Sequence, residues 1–97
     1  SKYWSLESAL NMDTMNLSCL PYHAGSVKAF KKLGKWTERH EKWQQSRLAF
    51  KETVREEYKK AVLDAKAKNI EQDTKAFEEL WYPRFKALRV KLALEEY

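Results

Sequence analysis

Apolar residues recur along this chain at steps of three and four, which is helical periodicity, and no stretch alternates in the manner of a strand. The longest such run is Trp36, His40, Trp43, Arg47, Phe50, Val54, Tyr58, Ala61 and Ala65. Neither Gly nor Pro interrupts residues 38–68. Thr37 stands before the run as an N-cap, with Glu38 and Glu41 in the first turn. The pattern predicts one helix over 38–68, on the order of 45 Å long. Its other face is charged and offers i,i+4 pairs Glu38–Lys42, Glu56–Lys60 and Asp64–Lys68. A second seam of Ile70, Phe77, Leu80, Trp81, Phe85, Leu88 and Leu92 predicts a last helix starting at Glu71 or Asp73. Pro83 lies inside it, so a kink or break is expected near Trp81–Tyr82. The short turn at Asn69–Ile70 favours an antiparallel hairpin.

Two short helices are expected ahead of the hairpin. Ser5 caps the first, about residues 6–11, which buries Leu6 and Leu10. Residues 11–20 have no clear period and read as an irregular connection. Pro21 stops whatever precedes it, and Val27, Phe30 and Leu33 then give a short helix over 24–33 its apolar face. Gly34 suits the left-handed position that ends it. The fold class is therefore all-α: two short helices, then a long antiparallel helical hairpin with its last helix kinked near Pro83. One helical domain covers residues 1–97.

Composition narrows function mainly by exclusion. Charged residues make up 34% of the chain and hydrophobic ones 43%, which fits neither a membrane span nor a disordered tail. No signal peptide is visible at the start. The net charge of +5 is too mild to point to nucleic acid by itself. Arg47, Lys51, Arg55 and Lys59 do form a basic ridge at four-residue spacing, a place where phosphates could bind. No aromatic residues interleave with it, so pairing with acids of the last helix or plain solvation is the plainer reading. If the hairpin turns at Asn69–Ile70, Lys59 and Lys60 come level with Glu78 and Glu79. Nucleic acid is not expected as a partner.

Catalytic and metal-binding spacings are lacking, and the chain is read as no enzyme, with no cofactor and no metal. Cys19 is the only cysteine, expected buried or half-buried rather than reactive. His40 sits on the seam and reads as a packed core histidine. The weak ligand candidates are His23, Gly25 and Ser26, at a helix start whose free amides could hold an anion. The plainer alternative is that His23 caps the helix or packs on Tyr22. Tyr3 and Trp4 at the start suggest docking onto something, and Trp4, Trp36, Trp43 and Trp81 need more cover than a thin hairpin supplies, which predicts self-association.

The segment PYHAGSVKAFKKLGKW resembles the C-terminal region of TAXI-type solute receptors, the substrate-binding subunits of one class of tripartite ATP-independent periplasmic (TRAP) transporters. Pro21, His23, Ala24, Gly25, Val27, Lys28, Phe30, Gly34 and Trp36 carry the match. Ala29 and Lys32 depart from it, standing where an aromatic residue and an acid are usual. The likeness spans about residues 4–50 and includes SLESAL upstream. It implies a periplasmic protein of two α/β lobes closing on a small solute and serving membrane subunits of the transporter. This chain, with no βαβ pattern, would be the C-terminal helical fragment, a scaffold for the missing lobes. The alternatives are a standalone helical protein–protein interaction module and a weak polyanion binder.

Overall fold

The computed structural model describes residues 5–97. The expectations for Tyr3 and Trp4 lie outside these residues. Five helices run in order among the described residues: α1 (Leu6–Ala9), α2 (Met12–Met15), α3 (Ala24–Lys32), α4 (Glu38–Ala67) and α5 (Thr74–Ala93). There is no strand among the described residues. α4 and α5 pack as an antiparallel hairpin, and the molecule is 52 Å along its long axis.

The boundaries are set by local chemistry. Ser5, Asn11, Thr37 and Asp73 each accept a hydrogen bond from the backbone N–H three residues on, capping α1, α2, α4 and α5. α2 falls within residues 11–20, a stretch expected to be irregular. Its one turn is nucleated by the Asn11 cap rather than by an apolar period. α3 ends at Gly34, whose φ is +70°; the Lys35 N–H bonds to the Phe30 carbonyl and the Gly34 N–H to that of Lys31. α4 ends the same way at Asn69, φ +56°, with Ile70 N–H on Ala65 and Asn69 N–H on Lys66. Both are Schellman closures, one using glycine and the other asparagine for the left-handed residue.

α5 runs unbroken through Pro83, so the break allowed for near Trp81–Tyr82 does not occur. Pro83 and Glu79 are both exposed, and water can serve the Glu79 carbonyl that the proline leaves without a donor.

The seam of α4 is buried along much of its length. His40, Trp43, Arg47, Phe50, Ala61 and Ala65 are buried, and Gln44 joins them. Along the hairpin the aromatic rings interlock. Tyr58 meets Phe77 and Trp81 edge-on, at 5.6 and 5.1 Å, and Trp81 stacks on Phe85 at 5.8 Å. The α5 side of this contact stays half-buried, because only α4 covers it.

The register matches the level inferred from the turn, but the ion pairs differ. Lys59 and Lys60 bridge to Glu56 and Glu57 of their own helix, at 3.4 and 3.9 Å, instead of to Glu78 and Glu79. Glu78 and Glu79 are exposed on the side of α5 turned away from α4. The cross-helix ties come from Arg84, 2.5 Å from Asp64 and 4.0 Å from Glu57. Level along the axis and direction around it are independent, and only the first comes from counting residues to the turn. The intrahelical pairs run at i,i+3 rather than at the i,i+4 spacings anticipated.

Candidate functional site

The segments before α4 fold against its N-terminal half and form the best-packed part of the molecule. Trp43 is 1% exposed and donates from Nε1 to the Met15 carbonyl at 2.7 Å. Gln44 clamps the backbone of Tyr22: its Oε1 accepts from the Tyr22 N–H at 2.9 Å, and its Nε2 donates to the Tyr22 carbonyl at 2.7 Å. This amide pair fixes the chain just after Pro21. The Tyr22 hydroxyl donates to the Ala9 carbonyl, and its ring lies edge-on to Phe30 at 5.4 Å.

His40 is a packed histidine, as the seam implied. It is buried, with Nδ1 accepting from the Thr37 N–H at 2.9 Å. Nε2 lies 2.8 Å from the Leu10 carbonyl, which can only accept, so the proton belongs on Nε2. His40 thereby completes a capping box with Thr37, a role more often filled by Glu or Gln. Trp36 lies between Phe30, stacked at 6.1 Å, and His40 at 5.3 Å. Its Nε1 donates to Glu41 at 2.7 Å. Hydrogen bonds from Gln45 and then Trp36 hold the Glu41 carboxyl below its ordinary range; Lys31 adds to this and burial opposes it.

The structure breaks up the basic ridge. Arg47 is 1% exposed and faces inward. Nε donates to the Ser18 carbonyl at 2.9 Å, Nη2 to that of Asn16 at 3.1 Å and Nη1 to Ser46 at 3.2 Å. Its guanidinium lies 5.3 Å from the centroid of the Trp43 ring. Burial pushes its pKa down, and Glu95, Tyr97 and Cys19 push it back. Arg47 belongs to the apolar seam and is no phosphate ligand. Arg55 and Lys59 are exposed and paired at i−3 with Glu52 and Glu56, while Lys51 is exposed. The four cations therefore do not share one solvent-facing ridge.

His23, Gly25 and Ser26 do come together at the start of α3. His23 is its N-cap, and Nδ1 accepts from the Gly25 N–H at 3.3 Å. The capping alternative describes His23 as it stands. His23 and Gly25 are exposed, and Ser26 is half-buried. Cys19 is half-buried beside a cleft of about 80 Å³ that Asn16, Arg47 and Arg89 also line. Among the described residues no three His, Cys, Asp or Glu side chains are grouped so as to hold a metal. None of the described helices is long and apolar enough to cross a membrane.

A surface that the sequence reading missed is the outer face of α5. Tyr82, Phe85, Lys86, Arg89, Val90 and Ala93 line an open groove of about 420 Å³. Tyr82 and Val90 are 65% and 59% exposed. The signal was present in the sequence as a second stripe on α5, at steps of three and four beside the seam that packs on α4.

Tyr22 gives a measurable alkaline signature. Burial raises the pKa of its phenol above the ordinary value near 10. The folded state thus favours the protonated form, and this contribution is complete below pH of about 10. It is lost as pH climbs from there through the raised folded value. Tyr22→Phe is expected to lower stability at neutral pH, where the bond to Ala9 is lost, and to flatten the alkaline decline. Urea midpoints measured from pH 7 to 11.5 would read both, and parallel curves for the two proteins would refute the assignment. Compared with known proteins, the chain matches no family model, no curated protein and no solved structure.

Proposed function

We propose that this chain acts as a scaffold and docking element rather than a catalyst. In this reading it is the C-terminal helical part of a periplasmic TAXI-type solute receptor of a TRAP transporter. The solute and the membrane subunits of the transporter are then partners of the whole receptor, and lobes outside this chain capture the solute. The observation that carries the reading is the use made of the motif residues. His23 caps α3, Gly34 closes it, and Val27, Phe30 and Trp36 pack it. A segment whose characteristic residues are spent on caps, turns and packing supports a structural role better than a ligand-binding one.

Two measurements test it. Reading the gene upstream of Ser1 should reveal an in-frame stretch of about 200 residues with alternating strands and helices. A stop codon there, or further helices alone, would overturn the receptor reading. Calorimetry of residues 1–97 with small carboxylic acids and amino acids should give no micromolar binding, and a micromolar solute would place the binding site in this chain. The second reading, a standalone helical interaction module, is favoured by the exposed groove on α5.

A further inference from the structure

The outer face of α5 carries its charges in a definite order. Taking about 100° per residue, Lys75, Glu78, Glu79, Tyr82, Lys86, Arg89, Val90 and Ala93 share one side of the helix. Glu78 and Glu79 stand one turn before Tyr82, and Lys86 and Arg89 stand one and two turns after it. From residue 80 to residue 94 the chain holds no acid at all. The ion pairs formed between the described residues involve neither Glu78, Glu79, Lys86 nor Arg89. Tyr82 lies at the middle, 65% exposed, and the groove extends from it toward Ala93. The Arg89 guanidinium leans over the Phe85 ring, 5.9 Å from its centroid, leaving its charge at the groove's edge.

We infer that this face binds the same face of a second copy of the chain, antiparallel, about a two-fold axis near Tyr82–Pro83. Charge order selects this pairing. A two-fold axis there brings residues equally distant from it level, so Glu79 meets Lys86 of the second copy and Glu78 lies within reach of its Arg89. The symmetry repeats both contacts on the other side. Tyr82 meets its own counterpart at the centre, and Val90 lies alongside the aliphatic stem of Lys75 of the second copy. A parallel pairing would set Lys86 on Lys86 and Glu79 on Glu79, which repel. A foreign helix that is acidic throughout would answer Lys86 and Arg89 but oppose Glu78 and Glu79. Only a partner with the reverse order of charge satisfies both halves, and α5 run backwards has that order. The inference stands apart from the receptor reading, since it uses none of the residues on which that resemblance rests.

One pair of helices is a small interface, so the dimer is expected at about 100 µM and above rather than at nanomolar concentration. Sedimentation equilibrium from about 10 µM to 1 mM would measure it. The double variant Glu78→Lys with Glu79→Lys should weaken the dimer by roughly tenfold or more, and so should Lys86→Glu with Arg89→Glu. An equimolar mixture of the two variants should associate again, because both arms of the mixed dimer then pair opposite charges. All four positions are exposed, so circular dichroism and thermal melting of each variant should stay at the wild-type values. A wild-type chain still monomeric at 1 mM would overturn the inference and hand this face to another partner. Variants that dimerise as tightly as wild type, or a mixture that stays monomeric, would overturn it equally.

Discussion

Trp43→Ala should remove about 3–5 kcal/mol of stability, the range for deleting a fully buried large aromatic side chain. In a domain of this size that is a large share of the whole, since total stabilities run at about 5–15 kcal/mol. The reason is that Trp43 serves several segments at once. Its indole N–H holds the Met15 carbonyl, its ring packs on Tyr22, and its face carries the Arg47 guanidinium. With the ring gone, α2 and the extended approach to α3 lose a common anchor on α4. Trp43→Phe keeps a ring of lesser size and forfeits the bond to Met15, so it should cost about 1–2 kcal/mol. Chemical denaturation followed by circular dichroism would rank the two. An alanine variant within about 1 kcal/mol of wild type would mean that α1–α3 are not held through this residue.

Arg47→Met is the second large effect, about 2–3 kcal/mol, even though methionine replaces most of the volume. The side chain is a tie between helix and loop: two carbonyls of the Asn16–Ser18 turn close on its fork. Methionine fills the space but leaves both oxygens without a donor. Arg47→Lys should recover only part of the loss, because one ammonium on a flexible stem cannot present two parallel donors at fixed spacing. Beyond the fall in the urea midpoint, limited proteolysis should cut between Asn16 and Leu20 in the methionine variant and spare the wild type. Equal resistance in both would show that the turn holds itself. If Arg47 were instead a solvent-facing phosphate ligand, its removal would leave stability within about 0.5 kcal/mol of wild type.

The helices were legible where single residues carry a strong conformational bias. Pro21, Gly34, Thr37 and Asn69 mark the ends of α3 and α4 closely, because each acts through its own backbone or its own oxygen. The seam of α4 was legible for the same local reason, helical spacing. Arg47 shows the limit. Its position placed it both on the apolar seam and on a ridge of cations, and periodicity alone favours neither. The Asn16–Ser18 carbonyls decide it, and they come from a stretch with no period of its own. Arg84 was missed similarly: its partners Glu57 and Asp64 lie on the other helix, and direction around the axis had to be known before they could be paired. At α3, His23, Gly25 and Ser26 were correctly placed together, since they are neighbours in sequence. The face of α5 around Tyr82 was hidden by the stronger stripe beside it, the one through Phe77, Trp81 and Phe85 that packs on α4.

The hairpin's thin outer half has a further meaning for how such a chain can change over time. On α4, the side chains that hold α1–α3 and their connections lie between His40 and Arg47, and toward the tip the ring contacts and ion pairs among the described residues run only within or between α4 and α5. Seven residues added to each arm advance both helices by nearly two full turns, and the aromatic faces meet again in phase. A single added residue in one arm rotates the remainder of that helix by about 100° and sets the seam against solvent. Length in this protein is thus adjustable in whole heptads at the tip. Descendants could lengthen or shorten their reach by that unit while the gripped base stays the same.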